Sequence, residues 1–285
     1  MNSVFQKRTF RLLLSILLIV SSTIMVFAQE EDLYNLENTR KFADYLYKSG
    51  QYQLAVNEYE RALFLNPSND TLKYLLVQSI SEQGKPLQAI ERTNNLFEAR
   101  DLPTNMAKVQ AHNLFLIKDF KQLNDLVKKN AYLSDEDKLA AAAYTELWQL
   151  DWNAATPMIQ QLEILGYSNT PDLQDLLKRG QSLRYKSPAL AVGLSALVPG
   201  LGKAYVGDWK DGLISLIIVS GTAWQSYRSF KRKGSDNFGG WFLGAVSIGF
   251  YGGNILGTNK AAKKYNNKLN GVIQHETEHH FLGHF

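Results

Sequence analysis

The chain has 285 residues, 45% of them hydrophobic and 20% charged, and contains no cysteine. That length fits one or two domains, and the missing thiols exclude disulfides, thiolate nucleophiles and thiolate metal sites. The formal charge of +4 is unevenly placed: residues 29–181 carry 16 Lys/Arg against 22 Asp/Glu, whereas residues 182–285 carry 12 against 5. An acidic body joined to a basic, glycine-rich end argues against nucleic-acid binding and fits a soluble module attached near anionic lipid.

Residues 1–28 read as a secretory signal peptide. Lys7, Arg8 and Arg11 precede an apolar run over 12–20, and Val26-Phe27-Ala28 before Gln29 suits cleavage. The alternative is an uncleaved anchor helix over 12–27. Either places the body of the chain outside the cytoplasm, beginning with a short linker over 29–35.

From residue 36 the sequence has a 34-residue period. Gly50 and Tyr52 mark a turn, Ala55, Tyr59 and Ala62 follow at helical spacing, and Pro67 closes the unit. Adding 34 reaches Gly84, Ala89 and Leu96; adding 34 again reaches Lys118-Asp119-Phe120. Residues 136–166 form a fourth helix pair with Trp152, Ala155 and Leu162 at shifted spacing. Alanine lets antiparallel helices approach and glycine permits the left-handed turn, while one such pair cannot bury its own apolar face. The first unit resembles a tetratricopeptide repeat, and the resemblance implies a helical solenoid over 36–181 with a concave groove for a peptide or protein. Carried over by resemblance, the groove positions are Arg40, Asp44 and Tyr47, then Tyr74, Gln78 and Ser81, then Lys108, His112 and Phe115. Tyrosines mixed with both charge signs suit a partner surface.

After an expected helix over 171–185 the composition changes abruptly. An apolar segment over 188–198 is too short to cross a bilayer, a second run over 213–227 is marginal, and a basic loop is expected over 228–237. Residues 238–257 form an uncharged run of 20 residues, about 30 Å as a helix and enough to span. It carries Gly240/Gly244, Gly249/Gly253 and Gly253/Gly257 as G-x-x-x-G pairs, which allow close helix contact in lipid. The stretch PGLGKAYVGDWKDG, with Pro199, Gly200, Gly202, Tyr205, Gly207 and Gly212, resembles a segment of small bacterial two-helix membrane domains. That resemblance implies a membrane domain over 182–265 but no reaction. Its glycine spacing does not match a nucleotide-binding loop.

The chain ends on a polar, histidine-rich segment over 266–285, where Asn266, Asn267 and Asn270 are expected to interrupt helical order. HETEH, from His275 to His279, has the H-E-x-x-H spacing of zinc peptidases. The extended form places a glycine and a third histidine at set distances, and Leu282 and Phe285 stand there instead. His275, His279 and His284 are the weak metal candidates of an otherwise exposed tail, and the sequence points to no catalytic residue or cofactor. The resulting expectation is an all-α, non-catalytic envelope scaffold, held at a bacterial inner membrane with periplasmic repeats that bind an envelope protein or peptide. Membrane lipid is the second expected partner; nucleic acid and nucleotide are not expected. The alternatives are a zinc-dependent peptidase using HETEH, and a membrane domain that handles lipid or solute under control of the repeats.

Overall fold

A computed structural model describes residues 15–16, 35–97 and 101–285. The expected signal peptide and the linker up to residue 34 lie outside the described residues, apart from residues 15 and 16. The described residues fold into helices without a strand, in two compact units that divide between Asn113 and Leu114.

The first unit contains α1 (Leu36–Lys48), α2 (Tyr52–Leu65), α3 (Asp70–Glu82), α4 (Pro86–Leu96) and most of α5 (Thr104–Leu116). Asparagines start two of these helices. The Asn35 side chain accepts the N–H of Asn38 at 2.9 Å, and that of Asn69 accepts the N–H of Leu72 at 3.1 Å. Each satisfies a donor that the first helical turn leaves open. Pro86 opens α4, where its missing N–H costs nothing. Ala43, Ala55, Ala62, Ala89 and Tyr59 are fully buried between the helices, so the small residues set the close helix approach expected of them.

The second unit contains α6 (Phe120–Lys129), α7 (Asp135–Gln149), α8 (Trp152–Leu165), α9 (Thr170–Gln181), α10 (Pro188–Leu197), α11 (Leu201–Tyr205), α12 (Trp209–Lys233) and α13 (Phe238–His284). Asp119, Ser134 and Asp151 cap α6, α7 and α8, each accepting a backbone N–H at 3.0 Å. The turn glycines Gly50 and Gly84 have φ of 76° and 70°, and Lys118 and Leu150 take φ of 61° and 65°. The left-handed turn thus recurs at residues 50, 84, 118 and 150, although the last two lack glycine and cost roughly 1–2 kcal/mol each. Packing holds that geometry. Lys118 Nζ lies 4.9 Å from the centroid of Phe115 and 5.0 Å from that of Trp148.

Helix α13 runs 47 residues, about 70 Å at 1.5 Å per residue. The expected helix-breaking asparagines and free tail are corrected here. Asn266 accepts from the backbone N–H of Lys186 at 2.8 Å and donates to its carbonyl at 2.9 Å; Asn270 accepts from the Tyr185 hydroxyl at 2.7 Å. Their side chains thus bond the 185–186 connector and do not compete with their own backbone. Beyond them, Ile273, Thr277 and Phe281 form a buried i, i+4, i+8 stripe. Phe281 stacks on Phe115 at 4.1 Å and on Phe285 at 4.5 Å, and meets Tyr144 edge-on at 5.7 Å. Ion pairs flank the stripe: Arg179 with Glu276 and Lys118 with Glu278, both at 2.5 Å. Gln274 donates to the Trp148 carbonyl at 3.0 Å.

Two other expectations are corrected. Residues 228–233 continue α12 instead of forming a loop, which is confined to 234–237 between Gly234, at φ 82°, and the Asn237 cap. No described helix is long and apolar enough to cross a membrane, so the expected spanning run over 238–257 is not met. Its seven glycines and Asn254 dilute the apolar content.

Replacing Phe281 with alanine is expected to destabilise the second unit by about 3–5 kcal/mol, the usual loss for a fully buried aromatic ring. Urea unfolding of the full chain, compared with Val272→Ala on the exposed face of the same helix, checks this. Equal midpoints would refute the anchoring role of the ring.

Candidate functional site

The first unit carries a concave pocket of about 520 Å³ whose lining includes Arg40, Asp44, Tyr47, Tyr59, Tyr74 and Phe97. Four expected groove positions, Arg40, Asp44, Tyr47 and Tyr74, therefore share one cavity. Asp44 organises one wall. Its Oδ1 accepts the Tyr59 hydroxyl at 2.7 Å and its Oδ2 lies 3.8 Å from Arg40 Nε. Burial, then the bond to Asp44, holds the Tyr59 hydroxyl far above its ordinary pKa. Tyr47 is pushed up to about 12, chiefly by burial and then by the charge of Glu82; the same two causes raise Tyr74. The cavity thus presents phenols beside the carboxylates of Asp44 and Asp70, the Arg40 guanidinium and Lys48, a surface able to pack apolar groups and orient polar ones.

The remaining expected groove positions are placed differently. Ser81 donates to Asn113 Oδ1 at 2.9 Å. Gln78, Lys108 and His112 are partly buried and lie off the pocket lining, and burial lowers the His112 pKa. Phe115 is fully buried, stacked on Phe281 and edge-on to Phe120. Its ring is committed to the core of the second unit and is not an open contact surface.

The glycine motif builds a second kind of site, an inside-out helix bundle. A Cβ at Gly200 would lie 1.9 Å from the Gly212 carbonyl oxygen, and one at Gly202 would lie 1.9 Å from that of Ala191. Only glycine permits these backbone contacts. Ser195 sits at the same junction, 2.8 Å from the Thr258 hydroxyl and accepting the Gly202 N–H at 3.1 Å. Further along, Ser226 donates to the Gly240 carbonyl at 2.7 Å and Ser247 to that of Val219 at 3.0 Å. Asn254 is buried with both side-chain polar atoms unpartnered. The outside is apolar: Phe238, Ile248 and Leu256 are 81%, 74% and 69% exposed, and Leu197, Trp209, Trp224 and Trp241 are also exposed. Pro199, Gly200 and Gly212 line an apolar cleft of about 230 Å³ with Trp209 and Leu213.

Some motif positions serve differently from expectation. Tyr205 of the motif is partly buried: its hydroxyl accepts the Ser187 N–H at 3.4 Å and Lys186 Nζ lies 4.6 Å from its ring. Gly240 and Gly244 face Phe230 and Ser226 of α12, but Gly249 and Gly253 have nothing within 4 Å of a notional Cβ. Gly257, the last of the paired glycines, has Lys203 of α11 at 3.7 Å, so an open stripe lies between two packed ends. Gly207 supplies the positive-φ turn before α12, at 95°.

No family model and no curated protein matches the chain. The geometry alone therefore supplies the functional reading. HETEH lies on α13, where its Glu276 carboxylate is paired with Arg179. Tyr59, Phe97 and Met106 are further pocket walls that no sequence motif marks. Tyr59 stood at a packing position, and nothing local signals that its hydroxyl reaches Asp44, 15 residues earlier.

The raised Tyr47 pKa makes a signed prediction. A phenol whose folded pKa exceeds its unfolded value contributes stability below pH about 10 that is lost as pH rises through about 12. Tyr47→Phe is expected to flatten the fall in melting temperature over that window. A parallel fall in the parent and the variant would show that the hydroxyl is not shielded.

Proposed function

We propose that this chain is a non-catalytic, membrane-associated helical-repeat scaffold that holds a peptide or protein partner in the bacterial envelope. The observation that carries the reading is the aromatic pocket organised by Asp44, Arg40, Tyr47 and Tyr74. The turn conformation repeated at residues 50, 84, 118 and 150 supports a tetratricopeptide-like solenoid as its frame. Such arrays bind extended or helical peptides through side chains of successive helices, with a few aromatic anchors supplying most of the affinity.

Membrane attachment is supported by the reversed burial of residues 190–256. In water a helical bundle hides its large apolar side chains; here Ser195, Ser226, Ser247, Asn254, Gly202, Gly212 and Gly240 are inside with the smaller Ala191, Val206 and Val219, while phenylalanine, isoleucine, leucine and tryptophan side chains are outside. Small residues and interhelical hydrogen bonds are how helices associate where lipid removes the hydrophobic drive between them. The packed bundle is the unit matched to lipid, because Ser226, Gly240, Ser247 and Asn254, which lower the hydropathy of α12 and α13, are buried within it. The basic residues at the end of α12, Lys231, Arg232 and Lys233, add attraction to anionic headgroups. On this reading the repeats lie in the periplasm and the bundle in the inner membrane.

Crosslinking in native membranes followed by mass spectrometry is expected to recover the same partner from the parent and from a His275→Ala/His279→Ala variant. Asp44→Lys combined with Tyr74→Ala should reduce that yield about tenfold or more, the loss of one anchor. Undiminished recovery would refute the groove. Separately, brominated lipid is expected to quench Trp209, Trp224 and Trp241 in a chain whose Trp148 and Trp152 are replaced by phenylalanine. No quenching in liposomes would refute lipid contact.

A further inference from the structure

We propose that Asp172, His280 and His284 form a binding site for a divalent transition cation, with zinc the best match, that fastens the last turn of α13 to the first turn of α9. One potential ligand atom from each residue lies within 4.8 Å of the others. His280 Nδ1 is 3.4 Å and His284 Nε2 is 3.9 Å from the same carboxylate oxygen of Asp172. Zinc held at about 2.0–2.2 Å by imidazole nitrogen and carboxylate oxygen in a tetrahedron puts its ligand atoms roughly 3.3–3.5 Å apart. One edge of that tetrahedron is therefore present, and the second needs a movement of about half an ångström. Neither separation is that of a strong hydrogen bond.

The course of the chain points the same way. His280 and His284 are four residues apart on one face of α13, the helical spacing that presents two imidazoles to one ion. Asp172 comes from a different helix, so the ion would bridge two elements. The turns before it are already tied by Arg179–Glu276 and Lys118–Glu278, neither of which involves these three residues. Two imidazoles and a carboxylate leave a tetrahedral ion at least one position for water. Glu276 and Glu278 are paired with Arg179 and Lys118, and we assign the site the role of a reversible clamp. It differs from the H-E-x-x-H set: His280 and Asp172 replace His275 and His279. It does not depend on what the groove holds.

The test is zinc binding to the full-length protein in detergent, measured by equilibrium dialysis with metal analysis and by the zinc-induced shift in melting temperature. One zinc per chain and a higher melting temperature are expected. His280→Ala and His284→Ala should each weaken binding by more than the roughly tenfold cost of losing a supporting partner. Asp172→Asn should also weaken it, while His275→Ala/His279→Ala should not. Circular dichroism of each variant without metal separates lost ligands from lost folding, and His280→Asn serves as a second variant if the alanine form does not fold. Binding that is absent in the parent, survives loss of all three residues, or vanishes in the His275/His279 variant would overturn the proposal.

Discussion

The second unit depends on a single buried ring. Phe281 lies on the last two turns of the longest helix, yet its contacts are to Phe115 and Tyr144, residues more than a hundred positions earlier. An aromatic cluster of this kind excludes water from both sides of a helix contact, and no surface ion pair can substitute for that burial. The flanking pairs Arg179–Glu276 and Lys118–Glu278 are partly exposed. Their part is to set the rotation and register of α13 about the ring, with little of the energy. The end of the chain is consequently a structural member of the unit begun by α6.

The helices of the first unit were legible because their signals are local. Turn glycines at 50 and 84 and the alanines that follow them each act within a few residues of where they stand. A left-handed turn also occurs without glycine at Lys118, beside the Trp148 ring, and at Leu150, where the spacing is two residues short of 34. The end of α13 was not legible for the opposite reason. Asn266 and Asn270 look like helix breakers until their partners are known, and those partners lie 80 and 85 residues away. A polar residue's local preference yields when a distant backbone group needs the same hydrogen bond.

The pocket divides along the same line. Arg40, Asp44, Tyr47 and Tyr74, carried over by resemblance, line one cavity. Phe115 sat at the corresponding third position, but there the register leads into the aromatic core of the second unit. A resemblance implies which face a residue occupies. It cannot say whether that face remains open.

The glycine-rich bundle shows why hydropathy along one helix is a poor measure of how a packed group of helices meets its solvent. Glycine, serine and asparagine lower the average of α12 and α13, yet Gly240, Ser226, Ser247 and Asn254 are spent on contacts within the bundle. What remains outside is dominated by Ile217, Trp224, Phe238, Trp241, Ile248 and Leu256. In water, that arrangement would leave a large apolar surface exposed while enclosing polar atoms, including two on Asn254 without partners. Both terms oppose folding in water. In lipid the first ceases to count, and the hydrogen bonds between serine hydroxyls and backbone carbonyls hold the helices together. The two environments therefore differ not in whether the individual helices are apolar enough, but in which side of the bundle has to be.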